Sequence, residues 1–168
     1  MLVSFNLDAI NSILAPKISE FFHRNKKDDL IKTVNFTVAV SSTISIVTFL
    51  FLITFSNFFL GIFGDEFEAG KWVLIILAFG QLLNCLSGSV GLLLQMTGHQ
   101  KVYRTIMIYG LFLNIFLNLI LIKPFGIEGV AIATMSSFVL WNLLGVYYVK
   151  KHLGISPYFN PFNNKTNG

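Results

Sequence analysis

The sequence predicts an all-α fold, a polytopic membrane helix bundle with four transmembrane helices and a partial fifth at the N-terminus. Three observations predict it. Of 168 residues, 54% are hydrophobic and only 12% are charged, and the mean hydropathy is +0.70. A soluble domain of this size needs far more charge to cover its surface. Four apolar runs, 34–63, 72–96, 105–122 and 129–149, contain no charged residue. Each is close to or above the roughly 20 residues that cross a bilayer as a helix. The basic residues fall between these runs, sorted by side.

The first segment, Met1 to Ala15, carries Asn6, Asp8 and Asn11 and reaches Pro16. It is too short to span unaided and is expected to stop at that proline as a truncated or interfacial helix. It is not expected to be a signal peptide, because it lacks a basic start and Asp8 interrupts the apolar core. The stretch "HRNKKDD", His23 to Asp29, reads as a solvated loop whose lysines contact anionic headgroups. The later runs end at breakers: Gly61, Gly64 and Gly70, then Gly98, then Pro124 and Gly126, then Gly154 and Pro157. The tail "SPYFNPFNNKTNG" lacks periodicity. The expected organisation is a membrane-embedded bundle over 1–157 and a mobile cytoplasmic tail over 158–168.

Charge sorting gives orientation. Lys17, Arg24, Lys26, Lys27, Lys32, Lys101, Arg104, Lys150, Lys151 and Lys165 lie on one side of a four-span alternation, and Lys71 and Lys123 on the other. This is a positive-inside pattern, with the Lys17 to Lys32 segment and the C-terminus expected in the cytoplasm. The net charge of +4 is therefore a topology signal, and no nucleic-acid partner is expected. "NFT" at Asn35 and "NKT" at Asn164 then sit at or inside the cytoplasmic boundary and read as chance matches to the glycosylation sequon.

Polar residues inside the spans need partners, so they face other helices or a water-filled path. On the second run Gln81, Asn84, Gly88, Gly91 and Gln95 recur at three or four residue steps and share one helical face. On the third, Asn114 and Asn118 share a face. The fourth places Thr134, Ser137, Trp141 and Gly145 on one side with Asn142 adjacent. Such faces serve helix packing, with small residues allowing close approach and amides bonding across the interface. They also suit a path for a hydroxyl-rich solute, and the cavity-lining candidates are Gln81, Asn84, Gln95, Asn114, Asn118 and Asn142. Asp8 is the candidate for ion coupling if its segment spans; at an interface it is simply solvated.

No catalytic constellation is present: no phosphate-binding Gly-Lys loop, no HExxH, no nucleophile elbow. "GSVG" at Gly88 to Gly91 has no strand before it and reads as a packing element. Cys85 is the single cysteine, and His23, His99 and His152 lie far apart with no ligand spacing. No metal, no cofactor and no enzymatic activity are expected.

Four stretches in order carry a family resemblance: "APKISEFF" (15–22), "FGDEFEAGKWVLIILAFGQLLN" (63–84), "LLLQMTGHQKVYR" (92–104) and "LNLILIKPFGIEGVAIATMSSFVLWN" (117–142). The most specific piece is N-x-x-L-I-x-P-x-G-I-x-G-x-A-I-A-T, from Asn118 to Thr134. Together they resemble the C-terminal part of a polysaccharide or oligosaccharide flippase of the multidrug, oligosaccharidyl-lipid and polysaccharide exporter superfamily, of the O-antigen or teichoic-acid type. The resemblance covers Ala15 to about Pro157.

It implies a transporter of two six-helix bundles around a central cavity, moving an undecaprenyl-linked oligosaccharide across a bacterial plasma membrane. The first segment resembles the end of the second helix of the C-terminal bundle, and the four runs its third to sixth helices. The chain is then expected to be a truncated or partial gene product, with the missing N-terminal bundle or a second copy as partner. A multidrug or toxin extruder fragment of the same superfamily is the nearest alternative, disfavoured because the four runs contain no acidic residue. A membrane remnant without transport is the other.

Overall fold

Every described element is a helix, as an apolar solvent demands: without water to bond, backbone N–H and C=O groups must be satisfied within their own segment. The computed structural model describes residues 2–63 and 70–158, with the side chains of 2–8 and of 63 outside that description. In order these are α1 (Leu2–His23), α2 (Lys27–Thr54), α3 (Ser56–Phe63), α4 (Lys71–Leu86), α5 (Val90–Met96) and α6 (Gln100–Leu153).

Helix α1 does not stop at Pro16 but continues to His23. The ring removes one backbone donor, yet Leu14 and Ile18 on either side are 2% and 0% exposed. Their anchorage in the core carries the helix through the proline. The expected loop from His23 to Asp29 is also mostly helical, with only Arg24 to Lys26 outside α1 and α2. Asn25 adopts φ 54°, and the N–H groups of Asn25 and Lys26 bond Phe22 O and Phe21 O at 3.2 and 2.9 Å. That is a Schellman closure with asparagine in the left-handed position, and it reverses the chain in three residues.

The first predicted span is α2 followed, after a break at Phe55, by α3. Along α2 the buried face narrows to Ser41, Ser42 and Ser45, small residues that let α4 come close. The Ser42 hydroxyl reaches Cys85 O across that contact at 3.5 Å. The second predicted span is α4 and α5, bent by 44° at Ser87 to Ser89. Gly88 sits at the bend with φ 71°, against Val38 on one side and the Pro157 carbonyl on the other.

Helix α6 holds the third and fourth predicted spans. As a straight rod its 54 residues would extend about 81 Å, against a hydrocarbon core of about 30 Å. It breaks instead at Gly126, with φ 55° and ψ −132°, a conformation open to glycine and costly for other residues. The limbs 100–125 and 127–153 then fold back on each other: a Cβ built on Gly110 would lie 3.7 Å from Trp141 Cβ. Helices α2, α4 with α5, and the two limbs of α6 thus supply four passes, and the chain is a multi-pass membrane protein.

Packing divides into two clusters. The larger joins Leu14 and Ile18 (α1), Leu30, Val34 and Val38 (α2), Val90, Leu93 and Leu94 (α5), and Ile106, Val149 and Leu153 (α6), closed by Ile155. The smaller joins Leu52, Ala78 and Cys85. Outward, Phe36, Leu50, Phe112 and Leu119 are more than half exposed, which suits contact with lipid tails. Pro157, the last residue of the expected bundle, is buried beside Gly88; residues 159–168 lie outside the described residues.

The hairpin also brings together two histidines that lie far apart in sequence. His99, at the start of α6, and His152, in its last turn, are brought into ring contact with centroids 4.6 Å apart. His152 in turn stacks on Tyr148. The Thr97 hydroxyl donates to Leu93 O at 2.7 Å, so at 3.2 Å it can only accept from His99 Nδ1. Spacing in sequence gave no hint of this pair because it forms across the open end of a hairpin. The same end gathers Arg24, Lys26 and Lys27 with Lys101, Lys150 and Lys151.

Candidate functional site

The break in α4–α5 makes a polar cleft. Ser87 and Gly88 leave the helical path, with Ser87 N–H still bonded to Leu83 O and Gly88 N–H to Cys85 O, both at 3.1 Å. Helix α5 then restarts in a new direction. The angle between the two segments is lined by Asn11 from α1, Asn84 from α4, Ser89 from the break, Gln95 from α5, and Tyr103 and Trp141 from the two limbs of α6, around about 210 Å3. Among the described residues no charged side chain lines it.

Hydrogen bonding orients these groups. The Ser89 hydroxyl donates to Asn11 Oδ1, tying the break to α1. Asn142 donates to Asn84 Oδ1 at 3.1 Å and to Phe138 O at 2.8 Å. With its oxygen engaged, Asn84 keeps an amide NH2 without a partner among the described residues. Gln95 donates to Gly91 O at 3.2 Å, which leaves its side-chain oxygen free in the same sense. The cleft therefore offers neutral donors and acceptors next to the faces of Tyr103 and Trp141. Such a surface suits hydroxyl-bearing rings, through amides and aromatic stacking.

Of the six amides singled out by sequence, Asn84 and Gln95 line this cleft. Asn142 lies behind Asn84, only 3% exposed, with its Oδ1 buried and unpartnered. It also borders a second recess with Ser87 and Tyr158. Gln81 is separated from the cleft, with its Oε1 buried and unpartnered. Of the face expected from Gln81 to Gln95, Asn84, Gly88, Gly91 and Gln95 line the cleft across the 44° bend, and Gln81 does not. Asn114 and Asn118 pair along their own limb, Asn118 donating to Asn114 O and Oδ1 at 2.9 and 3.0 Å, and neither lines the cleft. Asp8 belongs to α1, but its side chain lies outside the described residues. Gly88 and Gly91 pack tightly against neighbours, in line with the packing role expected of "GSVG".

Sequence reasoning did not assign Asn11, Ser89 and Tyr103 to one site. Asn11 and Ser89 are 78 residues apart, and no local periodicity connects them. Their only signal was polarity inside apolar runs.

Comparison with known proteins agrees with this architecture. The chain is 30% identical over 148 residues to the probable low-salt glycan biosynthesis flippase Agl15 of Haloferax volcanii, covering 88% of this chain and 31% of that protein. An uncharacterized membrane protein of Methanocaldococcus jannaschii is also 30% identical, over 86% of this chain and 34% of its own length. The capsular polysaccharide biosynthesis protein CapF of Staphylococcus aureus is 28% identical, over 87% and 37% respectively. The chain thus spans about a third of the length of the curated relatives it matches. No solved structure matches it. The MatE family model matches residues 8–120, from α1 through the first limb of α6, and the chain belongs to the MatE family.

Proposed function

We propose that this chain is part of a flippase for lipid-linked oligosaccharide, serving polysaccharide or glycan biosynthesis at the plasma membrane. The observation that carries the reading is the uncharged cleft lined by Asn84, Gln95, Tyr103 and Trp141. Neutral amides match sugar hydroxyls, and Trp141 and Tyr103 match the apolar faces of pyranose rings. The names of two relatives, a glycan biosynthesis flippase and a capsular polysaccharide biosynthesis protein, support the same class.

In this reading the basic end of the bundle and the C-terminus face the cytoplasm, and the work is translocation rather than bond chemistry. The remaining helices of the complete protein, or a second copy, close the other wall of the path, and the carrier is an undecaprenyl-type lipid. The test is rescue of surface polysaccharide in a flippase-deficient strain by the complete protein. Asn84→Leu, Gln95→Leu and Trp141→Ala are expected to lower export while the protein stays at normal abundance. Full rescue by all three variants refutes the cleft as a glycan contact. Cation-dependent drug efflux without any glycan rescue would favour an extruder of the same superfamily.

A further inference from the structure

Where α1 ends, α2 begins and α6 ends, a second cleft of about 310 Å3 opens at the basic end of the bundle. Its wall is apolar: Phe21, Phe22, Leu30, Leu153 and Ile155. Its polar members are Asn25, Lys27 and His152, all of which can donate hydrogen bonds. We propose that this cleft binds a phosphate-bearing lipid of the surrounding membrane, its phosphate between Lys27 and His152 and its chain along Phe21, Phe22 and Leu153.

Three observations point there. Lys27 has no ion-pair or hydrogen-bond partner among the described residues, although its Nζ is held over Gly154, 3.3 Å from where a Cβ would stand. His152 is fixed by ring contacts with His99 and Tyr148, at centroid distances of 4.6 and 6.0 Å, so its imidazole is placed before any ligand arrives. No carboxylate lines the cleft, and Glu20, one turn before it on α1, is engaged by Arg24 at 2.9 Å. Lys26, Lys150 and Lys151 flank these positions in sequence and outnumber Asp28 and Asp29, which follow Lys27.

A free anion would satisfy the donors but leave the half-buried Phe21 and Phe22 at the cleft's mouth facing water. A lipid satisfies both, since basic residues near a membrane surface attract anionic headgroups and the apolar wall takes the root of the chain. This site is separate from the polar cleft and does not depend on glycan transport.

The experiment places the complete protein in phosphatidylcholine nanodiscs doped with phosphatidylglycerol and counts retained phosphatidylglycerol by native mass spectrometry. Lys27→Gln is expected to weaken retention about fivefold, and Lys27→Gln with His152→Gln further. Lys101→Gln, a basic residue at the same end outside the cleft, is expected to leave retention unchanged. Phe22→Ala is expected to weaken phosphatidylglycerol but not inorganic phosphate. Retention unaffected by the double variant overturns the proposal. So does equal loss in Lys101→Gln, which would mean diffuse surface charge, or full displacement by inorganic phosphate, which would mean a site for a free anion.

Discussion

Gly88 and Gly98 offer a matched pair for measuring how tightly the bend in α4–α5 is built. Both sit at positive φ, 71° and 82°, so alanine at either one costs the left-handed strain of about 1–2 kcal/mol. They differ in surroundings. A Cβ on Gly98 meets nothing within 4 Å, whereas one on Gly88 meets the backbone carbonyl of Pro157 and stands 2.6 Å from Val38 Cγ2. A carbonyl cannot rotate away as a side chain can, so the C-terminal segment or α2 must shift, at a further cost of about 1–3 kcal/mol. Gly98→Ala should therefore lose about 1–2 kcal/mol and Gly88→Ala about 2–5 kcal/mol. Denaturation by dodecyl sulfate in mixed micelles, followed by circular dichroism, measures both. If the two variants agree within about 0.5 kcal/mol, the close approach of α2, the bend and Pro157 is wrong, because overpacking has a larger minimum cost.

Two other perturbations test the remaining joints. In the double variant Gly110→Cys, Trp141→Cys the Cβ atoms would start 3.7 Å apart, within the span of a disulfide. Oxidation should crosslink the two limbs of α6, detected as a mobility shift reversed by reductant. An unbroken helix would hold those positions about 46 Å apart and give no crosslink. Asn142→Leu removes the donor to Asn84 Oδ1 and is expected to destabilise by about 1 kcal/mol. A double-mutant cycle with Asn84→Ala should show coupling of similar size, and additivity would mean the pair does not form.

Much of this architecture was legible in the linear sequence, because the bilayer makes the rules simple. Uncharged runs long enough to span become helices, since nothing else satisfies the backbone in lipid. Breakers such as Gly98, Gly126 and Gly154 end or turn them, because each takes a positive φ that other residues adopt at a cost. The sorting of lysines at alternate run ends likewise predicts which ends meet, and the structure gathers them. At Pro16 the local signal for a break was real, but core anchorage at Leu14 and Ile18 overrode it; in the exposed His23 to Asp29 stretch the break is present, confined to three residues by the Schellman closure at Asn25.

What sequence alone determined, then, is the solvent, the helices and their order, all set by composition and short-range periodicity. The site belongs to tertiary structure. Of the helical face from Gln81 to Gln95, Asn84, Gly88, Gly91 and Gln95 stay together across a bend of 44°, while Gln81 lies outside the cleft. Packing joins them to Asn11, Ser89, Tyr103 and Trp141, which come from α1, a helix break and the two limbs of α6. His99 and His152 meet only because α6 folds back on itself. Amides in lipid take whichever partner the packing brings within about 3 Å, and packing is a property of the whole bundle rather than of any one segment.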